Sequence, residues 1–202
     1  MLRRLGLSTL HGMKTKLPAF AILVTLLPAL ALGFLSASGN TQATPLKPWT
    51  GASQPPRFTL QALDGTEVSL GQFRGRTVIV NFWATWCVPC VAEMPSLQRA
   101  RDRLAPDGVE VIAINLQESR SRVTRFVDRL GLTFPVVLDP SGATRTAWGV
   151  RVFPTTFVIG PDQRITWIAR GQVDWDDAEV QAQLRGTKPK GPRIERTVFT
   201  AR

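Results

Sequence analysis

The residues best equipped for chemistry in this chain are its only two cysteines, three apart in Trp86-Cys87-Val88-Pro89-Cys90. A pair at this spacing can cycle between dithiol and disulfide or contribute to a metal site. Structural zinc takes four ligands, chiefly Cys and His. No third cysteine exists, the single histidine, His11, lies far upstream, and a zinc site here would have to draw on carboxylates. Covalent haem attachment needs a histidine directly after the second cysteine, and Val91 stands there. The expectation is therefore no metal and no bound cofactor, with Cys87 and Cys90 themselves as the redox group. A disulfide closing so short a loop gains little as a staple, because the entropic gain grows with loop length. The pair thus reads as one that cycles, with a static disulfide in an inert scaffold as the competing reading.

The neighbouring segments say how the sulfurs are held. Arg76 to Ala84 is almost continuously apolar and β-branched, the pattern of a strand covered on both faces. Pro89 to Leu104 has the composition of a helix, with Pro95 expected to kink it. Cys87 then falls at the mouth of a helix, where free backbone amides and the helix dipole favour thiolate over thiol. The thiolate is the attacking species. Cys87 is expected to be the exposed nucleophile, and Cys90, one turn on, the thiol that resolves a mixed disulfide. Pro89 loses no hydrogen bond in the first turn and pre-sets the helical φ.

Further elements must build a sheet around that junction. Phe58-Thr59-Leu60 and Glu67-Val68-Ser69-Leu70 flank Asp64-Gly65, a hairpin signal. Strands are expected at Val109–Leu116, Pro135–Asp139, Thr155–Ile159 and Arg164–Ala169. Helices are expected at Ser119–Leu130, where Val123, Phe126, Val127 and Leu130 keep helical spacing, at Gly142–Trp148 and at Trp175–Leu184. Strands alternating with helices predict an α/β fold with a central mixed sheet flanked by helices.

The two ends differ from the middle. Residues 17–35 carry no charge and follow Arg3, Arg4, Lys14 and Lys16. A run of this length can cross a bilayer, which takes about 20 residues, or can serve as a secretory signal. Basic residues ahead of it keep residues 1–16 in the cytoplasm and send the rest outward. The expected organisation is a membrane anchor or signal over 1–35, a linker over 36–56, the folded domain over 57–184 and a basic, disordered tail over 185–202. The net charge of +10 is concentrated at those ends, and the central domain is close to neutral. No basic stripe argues for nucleic acid, and solvated ends near an anionic membrane account for the charge.

At two places the chain resembles a known family. Val80-Asn81-Phe82-Trp83-Ala84-Thr85-Trp86-Cys87-Val88-Pro89-Cys90, with Pro95 five residues on, resembles the active-site strand and loop of thioredoxins. Phe153-Pro154-Thr155-Thr156-Phe157-Val158-Ile159 resembles that family's cis-proline strand. The run CVPCVAEMP, the helical insert over 119–132 and the hairpin before the first core strand are most similar to the exported TlpA-like and ResA-like branch. The resemblance spans about residues 55–184 and implies a thioredoxin fold with an N-terminal hairpin and a helical insert. It implies a thiol–disulfide oxidoreductase that reduces or exchanges disulfides in client proteins, such as apocytochrome c or copper-site precursors, and is recharged by an upstream membrane thiol reductant. It places the domain on the periplasmic face of a bacterial inner membrane, or free in the periplasm if the signal is cleaved.

Residue roles follow from the same resemblance. Cys87 attacks and Cys90 resolves, while Pro154, cis, helps dock an extended client strand together with Phe153 and Thr155. Glu93, one turn beyond Cys90, is expected to move a proton if it is partly buried, since burial raises a carboxyl pKa; a solvated helix glutamate is the alternative. Asn81 stands where thioredoxins proper have a titratable aspartate, which gives Glu93 room to take over. Trp86 is expected to flank the cysteines, and Trp83 is either core or site. Phe153 is bulkier, and Val152 larger, than the branch usually carries there. A thiol peroxidase of the same fold lacks this close second cysteine, a copper chaperone needs a histidine in the domain, and a disulfide oxidant differs only in redox poise.

Overall fold

The structure, a computed structural model, describes residues 45–187. The segment read as anchor or signal, the first part of the linker (36–44) and the basic tail beyond 187 lie outside the described residues. Among the described residues no helix is long and apolar enough to cross a membrane.

An eight-stranded sheet organises the domain. Its strands are β1 (Lys47–Pro48), β2 (Thr59–Ala62), β3 (Glu67–Ser69), β4 (Thr77–Trp83), β5 (Val109–Leu116), β6 (Val136–Asp139), β7 (Thr155–Ile159) and β8 (Ile165–Arg170). They lie in the order β1-β8-β7-β4-β5-β6-β2-β3. β4, β5 and β6 run parallel, and the other pairings are antiparallel. Every residue of β4 is buried, as an apolar strand between two covered faces must be. The helices are α1 (Val88–Leu104), α2 (Arg120–Leu130), α3 (Ala143–Ala147) and α4 (Ala178–Gly186). α2 is the expected insert between β5 and β6.

Side-chain alternation along the central strands separates two cores. Ile79 and Trp83 of β4, Val111 and Ala113 of β5 and Val158 of β7 pack with α1, α2 and α4. Val78, Val80 and Phe82, Ile112 and Ile114, and Phe157 and Ile159 face the other way, against Phe58, Leu70 and Trp148. Trp83 is fully buried, with its ring 5.2 Å from that of Phe126, and so belongs to the core rather than the site.

Two expectations need correction. The linker reading of 36–56 missed β1, which pairs Lys47 with Ile168 and Pro48 with Trp167, while Trp49 packs edge-on to Phe157 at 5.6 Å. Two residues with a proline give too short a pattern to read. The last helix begins at Ala178, not Trp175, because Asp177 caps it by accepting from the amides of Glu179 and Val180. It also runs through Gly186, past the expected start of the tail. The expected helix through Pro95 to Leu104 is found as α1, although that proline cannot donate to the carbonyl four residues back.

Candidate active site

α1 starts where its sequence stops pairing as a strand. Cys87 is the N-cap, with extended backbone (φ −87°, ψ 101°), and its Sγ accepts from the Cys90 amide at 3.3 Å. Pro89 lies in the first turn, where no amide is required. Cys87 and Cys90 are joined as a disulfide with Cα atoms 5.2 Å apart. Cys90 has no exposed surface, and Cys87, expected to be open, keeps only 6 %. That is a correction. The outer sulfur is largely covered in the disulfide form, because it sits in the N-terminal pocket of its own helix, bonded to a buried partner.

The rim around it is apolar. Trp86 is 58 % exposed and Val88 78 % exposed. The Phe153 ring stands edge-on to Trp86 at 5.9 Å, which brings the loop before β7 beside the cysteine loop. The Phe153–Pro154 peptide is cis, and Pro154 is buried, with its carbonyl accepting from the Gly171 amide at 2.8 Å. Thr155, also expected to support client docking, opens β7 directly after Pro154. It is buried, and its hydroxyl donates to the Val152 carbonyl at 2.8 Å.

Behind the disulfide lies Glu93, with 1 % of its surface exposed, so the solvated-surface reading is excluded. The buried residues of α1 are Cys90, Glu93, Met94, Leu97, Ala100 and Leu104, with Ser96 at the margin, one helical stripe. The carboxylate therefore occupies a core position one turn below Cys90. Its Oε1 accepts from Asn81 Nδ2 at 2.7 Å, and its Oε2 accepts from the Val173 amide at 2.9 Å. Asn81 Nδ2 also donates to Thr156 Oγ1 at 2.9 Å, across the β4–β7 register. Burial among these neutral partners pushes the Glu93 carboxyl up to about 7. The Val173 and Asn81 hydrogen bonds pull the other way, as does the Trp175 indole from beyond hydrogen-bond geometry, and desolvation wins.

A second carboxylate supports the loop from the other side. Glu118 accepts from the Thr85 amide at 2.7 Å, the Thr85 hydroxyl at 2.5 Å and Asn115 Nδ2 at 2.8 Å, and pairs with Arg122 Nε at 3.0 Å. It holds the residue two before Cys87. Sequence reasoning missed Glu118, Thr156 and Val173. For Glu118 a signal existed: parallel β4 and β5 end at the same edge of the sheet, so residues just past β5 meet the loop just past β4. For Thr156 the signal was register, and for the Val173 amide none was available. Among the described residues no group of three His, Cys, Asp or Glu side chains is placed to hold a metal.

A thioredoxin fold with a vicinal cysteine disulfide at the N-cap of its first long helix defines a thiol–disulfide oxidoreductase. Comparison with known proteins makes the assignment narrower. The chain belongs to the Redoxin family, whose model matches residues 50–184. It is 38 % identical over 137 residues to thiol-disulfide oxidoreductase ResA of Geobacillus thermodenitrificans, covering 68 % of this chain and 78 % of that one. ResA of Bacillus subtilis is 36 % identical over 119 residues, covering 59 % and 66 %. Among solved structures, a putative thiol:disulfide interchange protein DsbE from Chlorobium tepidum superposes with a TM-score of 0.62 at 28 % identity, covering 67 % of this chain and 97 % of that one. A secreted thiol-disulfide isomerase from Corynebacterium glutamicum gives a TM-score of 0.63 at 29 % identity, covering 74 % and 95 %.

Proposed function

We propose that the protein is an exported, membrane-tethered reductant of disulfides in client proteins. The observation that carries this reading is the pairing of an N-cap disulfide with a buried carboxyl of pKa about 7 one turn beneath it. In the reduced protein, the Cys87 thiolate attacks one client sulfur and the other client sulfur departs as a thiolate. Cys90, deprotonated, then attacks Cys87 Sγ. The mixed disulfide breaks, the client leaves as a dithiol, and Cys87–Cys90 holds the new disulfide. Two electrons have moved to the client, and an upstream membrane thiol reductant returns them. Glu93 takes the Cys90 proton as that thiol ionises and gives it back on recharging. A group titrating near neutrality suits both directions.

Export and tethering rest on the uncharged run 17–35 behind four basic residues, and one similar structure is described as secreted. Cleavage of that run would leave the domain soluble in the periplasm. The reducing direction rests on the Val-Pro dipeptide between the cysteines. Precursors of cytochrome c or of copper sites are the clients that the resemblance of the CVPCVAEMP run to the TlpA-like and ResA-like branch implies. Cys90→Ser should accumulate client proteins joined to Cys87 as mixed disulfides, and adding Cys87→Ser should abolish them. Trapping followed by mass spectrometry identifies the client, and an empty trap counts against the reading. Equilibration with a glutathione redox series measures the poise. A potential as high as that of strong oxidants, about −120 mV, would reverse the direction.

A further inference from the structure

Beside the dithiol loop an open groove of about 580 Å³ runs between the first turn of α1 and one face of α2. Val88 and Val91 form one wall, and Arg122, Arg125, Phe126 and Arg129 form the other. The three arginines recur at i, i+3 and i+7, which puts them on one helical face. Their charges are not equally met. Arg122 pairs with Glu118 and donates to the Thr85 hydroxyl at 2.9 Å. The Arg129 guanidinium lies 5.5 Å from the centre of the Phe126 ring. Arg125 has neither an ion pair nor a hydrogen bond among the described residues. No acidic side chain lines the groove, and the one acid of α2, Asp128, is not among its walls. The result is a cleft with two uncompensated positive charges, an apolar floor, and one end at Val88, the residue bonded to Cys87.

We propose that this groove docks an acidic segment of the client protein, next in sequence to the disulfide being reduced. The proposal rests on the client-reductant reading above. Charge complementarity selects the occupant: carboxylates meet Arg125 and Arg129, and an apolar side chain rests on Val88 and Phe126. Arg125 to Arg129 spans about 6 Å along α2 at 1.5 Å per residue. An extended chain covers that in about two residues at 3.3 Å each. The matching client feature is two carboxylates about two residues apart, within a few residues of the target cysteine. Attraction of this kind raises the rate of encounter and weakens with salt.

The test uses the full chain in neutral detergent and two disulfide peptides identical except that one carries Asp and Glu beside a cysteine and the other Asn and Gln. The acidic peptide should be reduced with a kcat/KM about tenfold higher at low salt, an advantage that shrinks at high salt as the Debye length falls to about 3 Å at 1 M. Arg125→Ala with Arg129→Ala should remove the preference. A preference that survives in that variant, or equal rates in the unaltered protein, overturns the docking site while leaving the reductant reading intact. Reduction of neither peptide overturns both. Binding is checked without redox chemistry, and without any variant, by titrating the protein's tryptophan fluorescence with the acidic peptide bearing Ser for Cys. Saturable, salt-sensitive binding is expected. If the peptide leaves the signal unchanged while monomeric dioctanoyl phosphatidylglycerol alters it, the groove takes a lipid headgroup and the proposal falls.

Discussion

The two faces of the sheet are built from the same strands and do different work. On one face Phe82, Trp148 and Phe157 form an aromatic block with ring centres 5.1 to 6.1 Å apart, joined by aliphatic residues from every central strand. On the other, the same alternation places Asn81 and Thr156 in mid-sheet, with Glu93 above them on α1. The first face is built from apolar side chains. The second, a larger apolar cluster, also keeps a carboxyl dry one turn beneath the dithiol. The difference teaches that burial can be used in two senses within one small domain, to exclude water and to set a pKa.

The largest effect expected from testing this contrast is on the aromatic face. Phe82→Ala removes a fully buried ring and should cost about 3–5 kcal/mol of folding stability. Denaturant titration measures that loss, and the pH profile of the surviving folded protein should be unchanged. A loss of pH response together with stability would mean that the faces are not separable.

Next comes the pH dependence of stability carried by Glu93. Its folded carboxyl titrates at about 7, above the ordinary value of 4.5. The folded protein therefore holds a proton that the unfolded chain releases between those values. The Glu93 contribution to stability is fully present below about pH 4.5 and is lost as pH rises to about 7, on the order of 3 kcal/mol in total. The oxidised protein is the one to measure, since its cysteines do not titrate. Glu93→Gln should flatten this slope. In the reduced protein the same substitution should slow exchange and move its pH profile, whereas Phe82→Ala should not. A slope that persists in Glu93→Gln would assign it to another group.

The smallest expected effect concerns Thr156. Thr156→Val keeps the shape but removes the acceptor for Asn81 Nδ2. The loss should be about 1 kcal/mol, with a displaced midpoint in the Glu93-dependent pH profile. Midpoint and stability are read from one series of denaturant titrations. An unmoved midpoint would confine the pKa control to burial alone.

Much of this contrast was legible beforehand, and the reasons are physical. The strand expected at Val109–Leu116 is found with those bounds, because a mostly apolar run rich in Val and Ile between a Pro-Asp-Gly turn and a helix leaves few alternatives. The cysteine spacing and the Phe-Pro-Thr strand identified the redox loop and its neighbour. Glu93 could have been placed more firmly: its spacing from Cys90, Met94 and Leu97 already put it on the buried stripe. β1 was hidden because two residues carry no periodicity. Glu118 and Thr156 depend on which strands lie side by side, which is set by the whole sheet.

The side-chain amide of Asn81 has one further property. Its oxygen meets no hydrogen-bond donor among the described residues, while its nitrogen serves both Glu93 and Thr156. An amide is nearly symmetric in shape and opposite in polarity at its two ends. A half-turn about its terminal bond replaces the donor facing Glu93 with an acceptor. The same neighbour can thus greet an ionised carboxylate with hydrogen and a protonated carboxyl with oxygen, without taking on charge of its own. An aspartate in that place could match only one of the two states without itself changing charge.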